Sequence, residues 1–467
     1  MVCMRFGGMV ALVFLASCIS MSDREKQENV LETPCIETAG FMQGEWPSKD
    51  WWEVFDSPQL SALVVTALAN NPSIQGVEKR LDAAKEVSKI ARARLFPLVF
   101  FDVEETSEFL SKNGLYKAFN PSLPIHADLL DITLNFSYEF DFWGKNRNLF
   151  RASLNKARAE AAEAAQVALI ATTALAQGYF ALKANLIKHG LIVRLVDVRR
   201  KTFQLQALLE KSALNSQLEP LLSQERVFDA EKQLSSIEEE IAVGQHLVNI
   251  LAGLGPDSPL EIDEDMPLLP PSIAVPHDIS ANLLARRPDL MAEIWRVEAL
   301  ADEVGAAKAD FYPNINLGAF FGFESVILSK IFNADSQNGG FTPALNLPIF
   351  TAGAIRANVK AKKAAFDEAV YAYNQLLLQS ASEVADFLSF ARDVYEKKRL
   401  QEEIVENAQI RFDLTLLRSF AGLDSFIEKY AFEEVLIQKK LEDVDLLYSQ
   451  YLALIKLTKS LGGGYGS

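Results

Sequence analysis

The sequence predicts a mainly α-helical chain that also contributes strands to a membrane β-barrel, built from two internal repeats. Three observations predict it. A helical segment bounded by equally spaced prolines occurs twice, a two-residue alternation follows each copy, and a long proline-free stretch follows each alternation. Composition agrees with a folded body: of 467 residues, 49% are apolar, 10% aromatic and 23% charged, too hydrophobic for a disordered chain. The formal net charge of -16 opposes broad contact with phosphate backbones, so no nucleic-acid partner is expected.

The first element is an address. Arg5, the apolar run Met9 to Leu15 and the small pair Ala16-Ser17 predict a signal peptide over 1–17. That run is too short to cross a hydrocarbon core about 30 Å thick as a helix. Leu15-Ala16-Ser17-Cys18 resembles the bacterial lipobox, which implies acylation of Cys18 and a lipidated tether over 18–50. Each buried methylene of such a chain contributes about 0.8 kcal/mol to membrane attachment. Cysteine occurs only at Cys3, Cys18 and Cys35, so no disulfide framework holds the body together. His126, His189, His246 and His277 stand singly, without a second ligand at suitable spacing, so no metal and no cofactor is expected.

The repeat comes next. Asn70-Asn71-Pro72 opens a helical pattern closed by Leu95-Phe96-Pro97, and Arg286-Arg287-Pro288 opens another closed by Phe311-Tyr312-Pro313. In the same frame Arg80 aligns with Arg296, Ala83 with Ala299, Ala91 with Ala307 and Ala93 with Ala309. Proline fixes φ and lacks an N–H, so it punctuates a helix at both ends. The first repeat is assigned to 51–278 and the second to 279–467.

After each closing proline the period changes from 3.6 to 2. In Ile132 to Phe142 every even position is apolar or aromatic and every odd position is polar or acidic. In the second copy Asn314, Asn316, Gly318 and Gly322 alternate with Ile315, Leu317, Ala319, Phe321 and Phe323. Strands are expected at about 97–104 and 128–143, and at about 313–324 and 341–350, in two hairpins. Strands near ten residues with this alternation suit a transmembrane barrel, although a soluble sandwich face uses the same pattern. Each second strand ends in a glycine turn, at Gly144 and Gly353, after which long helices are predicted at about 145–208 and 353–417. Ala157, Ala161, Ala164, Ala168, Ala171, Leu175, Gly178 and Leu182 form a small-residue heptad seam in the first. At about 1.5 Å per residue each long helix equals the summed length of the short helix before the strands and a third helix after the bend, roughly 90–100 Å. The short and third helices are therefore expected to stack end to end alongside the long one.

This order of elements behind a lipobox resembles the TolC-like outer-membrane factors, the bacterial outer-membrane efflux channels, and within them the lipidated NodT-type branch. The resemblance runs from Trp51-Trp52-Glu53-Val54-Phe55-Asp56-Ser57-Pro58 to Leu461-Gly462-Gly463-Gly464-Tyr465, through Leu284 to Leu290, Phe311-Tyr312-Pro313 and Leu347-Pro348-Ile349-Phe350. It implies a trimer with four strands per chain in one shared barrel and a long periplasmic α-helical barrel. It also implies a periplasmic adaptor and an inner-membrane pump as partners, and passive export of small molecules across the outer membrane. Physics argues for closure as well, since orphan backbone groups at a strand edge in hydrocarbon cost several kcal/mol each. Ile132, Leu134, Phe136, Tyr138, Phe140 and Phe142 are then expected to face lipid, and Asp131, Glu139 and Asp141, with Asp102, to face the lumen and concentrate cations.

The bend between long and third helices is the expected tip. The resemblance implies that Ala421-Gly422-Leu423 receives the adaptor, with Ala213-Leu214-Asn215 as its first-copy counterpart lacking the glycine. It places Ala431 where many members carry a constricting aspartate and Glu434 where some carry a basic partner, so that latch is missing. Closure is expected instead from Asp424 and Glu428, one helical turn apart, paired with Lys429 or Arg418, and from Glu219 in the first copy. Simple packing of the tip is the alternative. No phosphate-cradling G-x-x-x-x-G-K-[ST], G-x-S-x-G or H-E-x-x-H occurs, so no enzymatic activity is expected. Two other readings stay open: a structural or adhesive envelope lipoprotein, and the outer-membrane component of type I protein secretion.

Overall fold

Proline, glycine and the hydrophobic period set the chain order β1 (Met42–Gly44), α1 (Pro58–Asn70), α2 (Pro72–Ala93), β2 (Leu98–Phe109), α3 (Leu115–Phe119), β3 (His126–Phe140), α4 (Lys145–Lys211) and α5 (Leu218–Leu251). There follow β4 (Ala274–Pro276), α6 (Pro288–Ala309), β5 (Asn314–Ser325), β6 (Gln337–Asn346), α7 (Ala354–Phe420) and α8 (Phe426–Ser460). This computed structural model describes residues 40–263, 265–270, 272–276 and 286–466, with positions 31, 34, 36, 37, 279 and 283. The signal peptide, Cys18 and Leu284-Ala285 lie outside the described residues. Duplication shows in the lengths: the long helices have 67 and 67 residues, the short ones 22 and 22, the third ones 34 and 35. Pro72 and Pro288 each occupy the first helical position, where the missing N–H has no partner to lose.

The described chain divides into two compact units. In the first, residues 84–157 and 296–371, the strands form one antiparallel sheet in the order β2-β3-β5-β6. Its helical segments are tied by polar contacts: Asn155 donates to Asp302 (3.1 Å), and Glu303 accepts from Lys156 and, at 2.7 Å, from Lys362. Trp143 at the turn after β3 donates to the Pro313 carbonyl (2.7 Å) and stacks on Tyr312.

Several strand ends differ from expectation. β3 stops at Phe140 because Asp141 leaves the ladder to accept from the amides of Asn146 (3.0 Å) and Arg147 (2.8 Å), the first turn of α4. β6 starts early, at Gln337, with Gly339 and Gly340 holding ladder positions opposite Phe321 and Phe320. It ends at Asn346, opposite Asn314 at the start of β5.

In the second unit, residues 31–83, 158–295 and 372–466, the short and third helices meet end to end in both copies. Asn71 Nδ2 donates to the Leu251 carbonyl (2.9 Å), joining α5 to α2. Arg287 Nη1 donates to the Ser460 carbonyl (3.2 Å), joining α8 to α6. The junctions are close: a Cβ on Gly462, whose φ is +94°, would stand 1.8 Å from the Arg286 carbonyl oxygen. Arg287 is buried, which opposes its charge, but a bidentate pair with Asp289 and a contact with Glu383 outweigh burial and raise its pKa.

The main core gathers Trp51, Trp52, Phe55, Leu60 and Val64 against Leu175, Tyr179, Phe180, Val248 and Tyr451. Phe180 stacks on Tyr451 at 4.1 Å, and Ser57, the N-cap of α1, also hydrogen-bonds Tyr179 (3.0 Å). Buried Lys183 forms an ion pair with Asp263 and donates to Tyr179. The small-residue seam is only partly as expected: Ala157, Ala171, Leu175 and Leu182 are buried, whereas Ala161 is exposed and Ala162 takes its place. Over 169–184 burial falls on several sides of α4. α4 is apolar enough by length and composition to cross a membrane, yet 44% of its apolar window is buried within the fold.

Candidate functional site: an amphipathic sheet and two helical tips

Residues directly opposite in a ladder point to the same side, so the register fixes both faces of the sheet. On one face Ile132, Leu134, Phe136, Tyr138 and Phe140 of β3 lie in register with Phe323, Phe321, Ala319, Leu317 and Ile315 of β5. Val103, Phe101 and Val99 of β2 continue those rows on one side, and Phe341, Pro343 and Leu345 of β6 on the other. Phe142 has no ladder position, because it lies in the turn beyond β3, but its exposed ring stacks on Phe140 of this face.

The opposite face is mainly polar, with Phe100 and Phe320 flanking Asn135 on it. Asp131 and Glu139 lie on it, and Asp102 accepts from Asn135 (2.8 Å). Asp141 does not: its carboxylate caps α4 and pairs with Arg147. The register adds two acids that alternation alone did not single out, since Glu104, Asp131 and Glu324 stand side by side on three adjacent strands. Asn338 donates to Glu324 (2.6 Å). Gly322 belongs to this face, and a Cβ there would stand 2.0 Å from the Ile132 carbonyl oxygen. β2 and β6 end the sheet with no ladder partner beyond them among the described residues.

The two helical turns share one geometry. Leu423 N–H donates to the Arg418 carbonyl and Gly422 N–H to that of Ser419, and Leu214 and Ala213 repeat the pattern to Leu209 and Glu210. Each is a helix stop that needs a left-handed residue, supplied by Gly422 (φ +72°) and by Ala213 (φ +55°). At the second turn Arg418 holds Asp424 through bonds of 2.6 and 2.8 Å. That hydrogen bond keeps the Asp424 carboxyl below its ordinary range. Glu428 faces its own helix end, accepting from the Ser425 amide in a capping box, and Lys429 pairs with Glu433 rather than with Glu428. Glu219 occupies the first turn of α5. Leu214, Phe420 and Leu423 are exposed.

Above these turns lie ion pairs that the sequence did not disclose. Arg199 grips Glu434 (Nε at 3.0 Å), and Arg194 Nε donates to Glu433 at 2.7 Å, so α4 and α8 are tied by two charged links. The partners are 235 and 239 residues apart, beyond any local spacing rule. Among the described residues no group of three or more His, Cys, Asp or Glu is placed to hold a metal ion.

The chain matches the outer membrane efflux protein family model twice, over 63–247 and 279–463, one match per repeat. It is 30% identical to the fusaric acid resistance protein FusA of Burkholderia cepacia, over 75% of this chain and 68% of that protein. It is 28% identical to the putative multidrug resistance outer membrane protein MdtQ of Shigella flexneri, over 97% of this chain and 96% of that one. Among solved structures, the outer membrane protein VceC of Vibrio cholerae superposes with a TM-score of 0.80 at 28% identity, covering 90% of this chain and all of that chain. The outer-membrane channel OprN shares the fold, with a TM-score of 0.84 at 22% identity over 95% of this chain and 98% of that one. With two matched copies covering most of its length and an amphipathic four-stranded sheet, the chain belongs to the outer membrane efflux protein family.

Proposed function

We propose that this chain is the passive exit duct of a tripartite efflux system, a homotrimer that carries small amphiphilic molecules from a periplasmic adaptor and inner-membrane pump to the exterior. One observation carries the reading: a four-stranded sheet, apolar on one face and mainly polar with several acids on the other, with two edges unpaired among the described residues. Hydrocarbon does not tolerate open edges, and four strands are too few to close on themselves, so three chains joining β6 to the next β2 satisfy every edge. Names of relatives that speak of fusaric acid and multidrug resistance support small organic molecules as cargo.

Within this reading the turns at Gly422 and Ala213 are the adaptor contacts, and Asp131, Glu139 and Asp102 line the pore. Asp424, Glu428 and Glu219 carry charge at the closed end. The ion pairs of Asp424 with Arg418 and of Glu433 and Glu434 with α4 support a closed end held within each protomer. Cys18 anchors the mature chain, and the intact mass of its peptide tests this: an unmodified thiol overturns lipidation. Conductance of the purified trimer in planar bilayers tests the duct. A stepwise, cation-preferring current is expected; a sealed bilayer with inserted trimer favours a structural envelope lipoprotein.

A further inference from the structure

The loop that follows β5 carries Val326, Ile327, Leu328 and Phe332, all exposed, Phe332 by 74%, around the exposed base Lys330. Its shape is fixed by its own bonds: Ser325 Oγ donates to the Ile327 carbonyl (2.9 Å), and Ser336 Oγ to the Lys330 carbonyl (2.9 Å). It also folds back on the sheet. Ile331 is buried, and the Phe332 ring meets Phe323 edge-on with centroids 5.8 Å apart. Phe323 lies opposite Ile132 on the apolar face, so Phe332 sits on that side of the sheet and not over the acidic face.

The dimensions give this loop a role. From Ile132 to Phe140 the rows that are apolar on both β3 and β5 cover about 27 Å of strand at about 3.4 Å per residue. Barrel strands tilt by about 35–45°, so the row gives about 20 Å of height, less than the roughly 25 Å apolar band such barrels present. Phe142, stacked on Phe140, lengthens the row at one end, and at the other, where Leu130 of β3 stands between Glu105 and Ser325, Phe332 lengthens the β5 row past Phe323. Both ladder sides of Phe323 are taken by its own chain, by Ile132 and Gln337, so strand pairing with a second copy falls to β2 and β6 and leaves the open side of the Phe323 ring to another occupant. Lipid acyl chains are the occupant that continues the face Phe323 belongs to.

We propose that residues 326–332 insert into the outer leaflet as an apolar collar that completes the lipid-facing belt, with Lys330 at the level of the lipid phosphates. This rests on the apolar face of the sheet meeting lipid. The test is nitroxide labelling of Phe332→Cys and Leu328→Cys in a Cys35→Ser chain, assembled in vesicles of phosphatidylethanolamine and phosphatidylglycerol, with the parental signal subtracted. Phe321→Cys reports the face itself and Asn113→Cys, on the other hairpin loop, reports water. Labels at 328 and 332 are expected to collide with oxygen as the label at 321 does, and several-fold less than the label at 113 with a water-soluble nickel chelate. Access to the nickel chelate at both sites, or shielding from both reagents, overturns the collar while 321 still reports lipid. Nickel access at 321 overturns the reading of the face, and the collar with it.

Discussion

At position 136 the phenyl ring stands between Val99 and Ala319 in the apolar rows, while the amide of Asn135, one residue away, reaches Asp102 on the other face. A period of two makes this neighbour contrast the sharpest test of the sheet. Phe136→Arg places a charge in lipid and is expected to cost about 2–4 kcal/mol at mid-membrane depth. Asn135→Arg, beside Asp102, is expected to assemble normally and to weaken cation preference. The yield of folded trimer in the outer membrane reads both, and the reverse pattern exchanges the two faces. A second single-residue prediction concerns Ala213, left-handed at φ +55° without being glycine. A Cβ in that region costs roughly 1–2 kcal/mol, partly offset by the entropy glycine brings, so Ala213→Gly is expected to slow amide exchange around 208–216 by about 0.5–1 kcal/mol. The faces were legible because each side chain reports its own environment. Asp141 was misread because its carboxylate answers to the amides of Asn146 and Arg147, and alternation carries no information about a helix that begins four residues later.

Helices and their end-to-end stacking were legible, and the side-chain links between them were not. The matched prolines and the equal summed lengths gave the end-to-end stacking that Asn71 and Arg287 complete. What ties one helix to another across hundreds of residues left no trace in either local pattern. Glu434, an acid where the resemblance implies a basic residue in some members, holds Arg199, with the arginine largely enclosed. A double-mutant cycle on Arg199→Ala and Glu434→Ala is expected to give a coupling of about 0.5–3 kcal/mol, read from exchange of the α8 amides. A cycle that sums to zero makes the pair incidental. Within the unit that holds the sheet, Glu303 joins α6 to Lys156 of α4 and Lys362 of α7. Burial raises its pKa, but bonds and charge from the two lysines outweigh burial and hold it below 4.5. A depressed folded-state pKa means the link stabilises above pH 4.5 and is lost as acidification protonates the folded carboxylate. Glu303→Gln is therefore expected to lower the melting temperature at neutral pH, with the gap to the parent closing in acid.

At the scale of the assembled duct, the second tip separates fold from partnership. Gly422 stands at φ +72°, and a Cβ built there meets no atom of the chain within 4 Å. A larger side chain thus finds room and suffers mainly backbone strain, roughly 1–2 kcal/mol. The turn has other supports: the Schellman bonds of Gly422 and Leu423, the pair of Arg418 with Asp424, and the Ser425 capping box. Gly422→Leu is accordingly expected to fold, to reach the outer membrane and to conduct in bilayers. If an adaptor seats its own helices against this turn, the same side chain blocks the approach. Drug resistance in cells should fall to that of a strain lacking the channel, and cross-linking to the adaptor should be lost, while trimer yield is unchanged. Loss of trimer together with resistance would assign Gly422 to folding alone, and unchanged resistance would move the adaptor contact away from this tip.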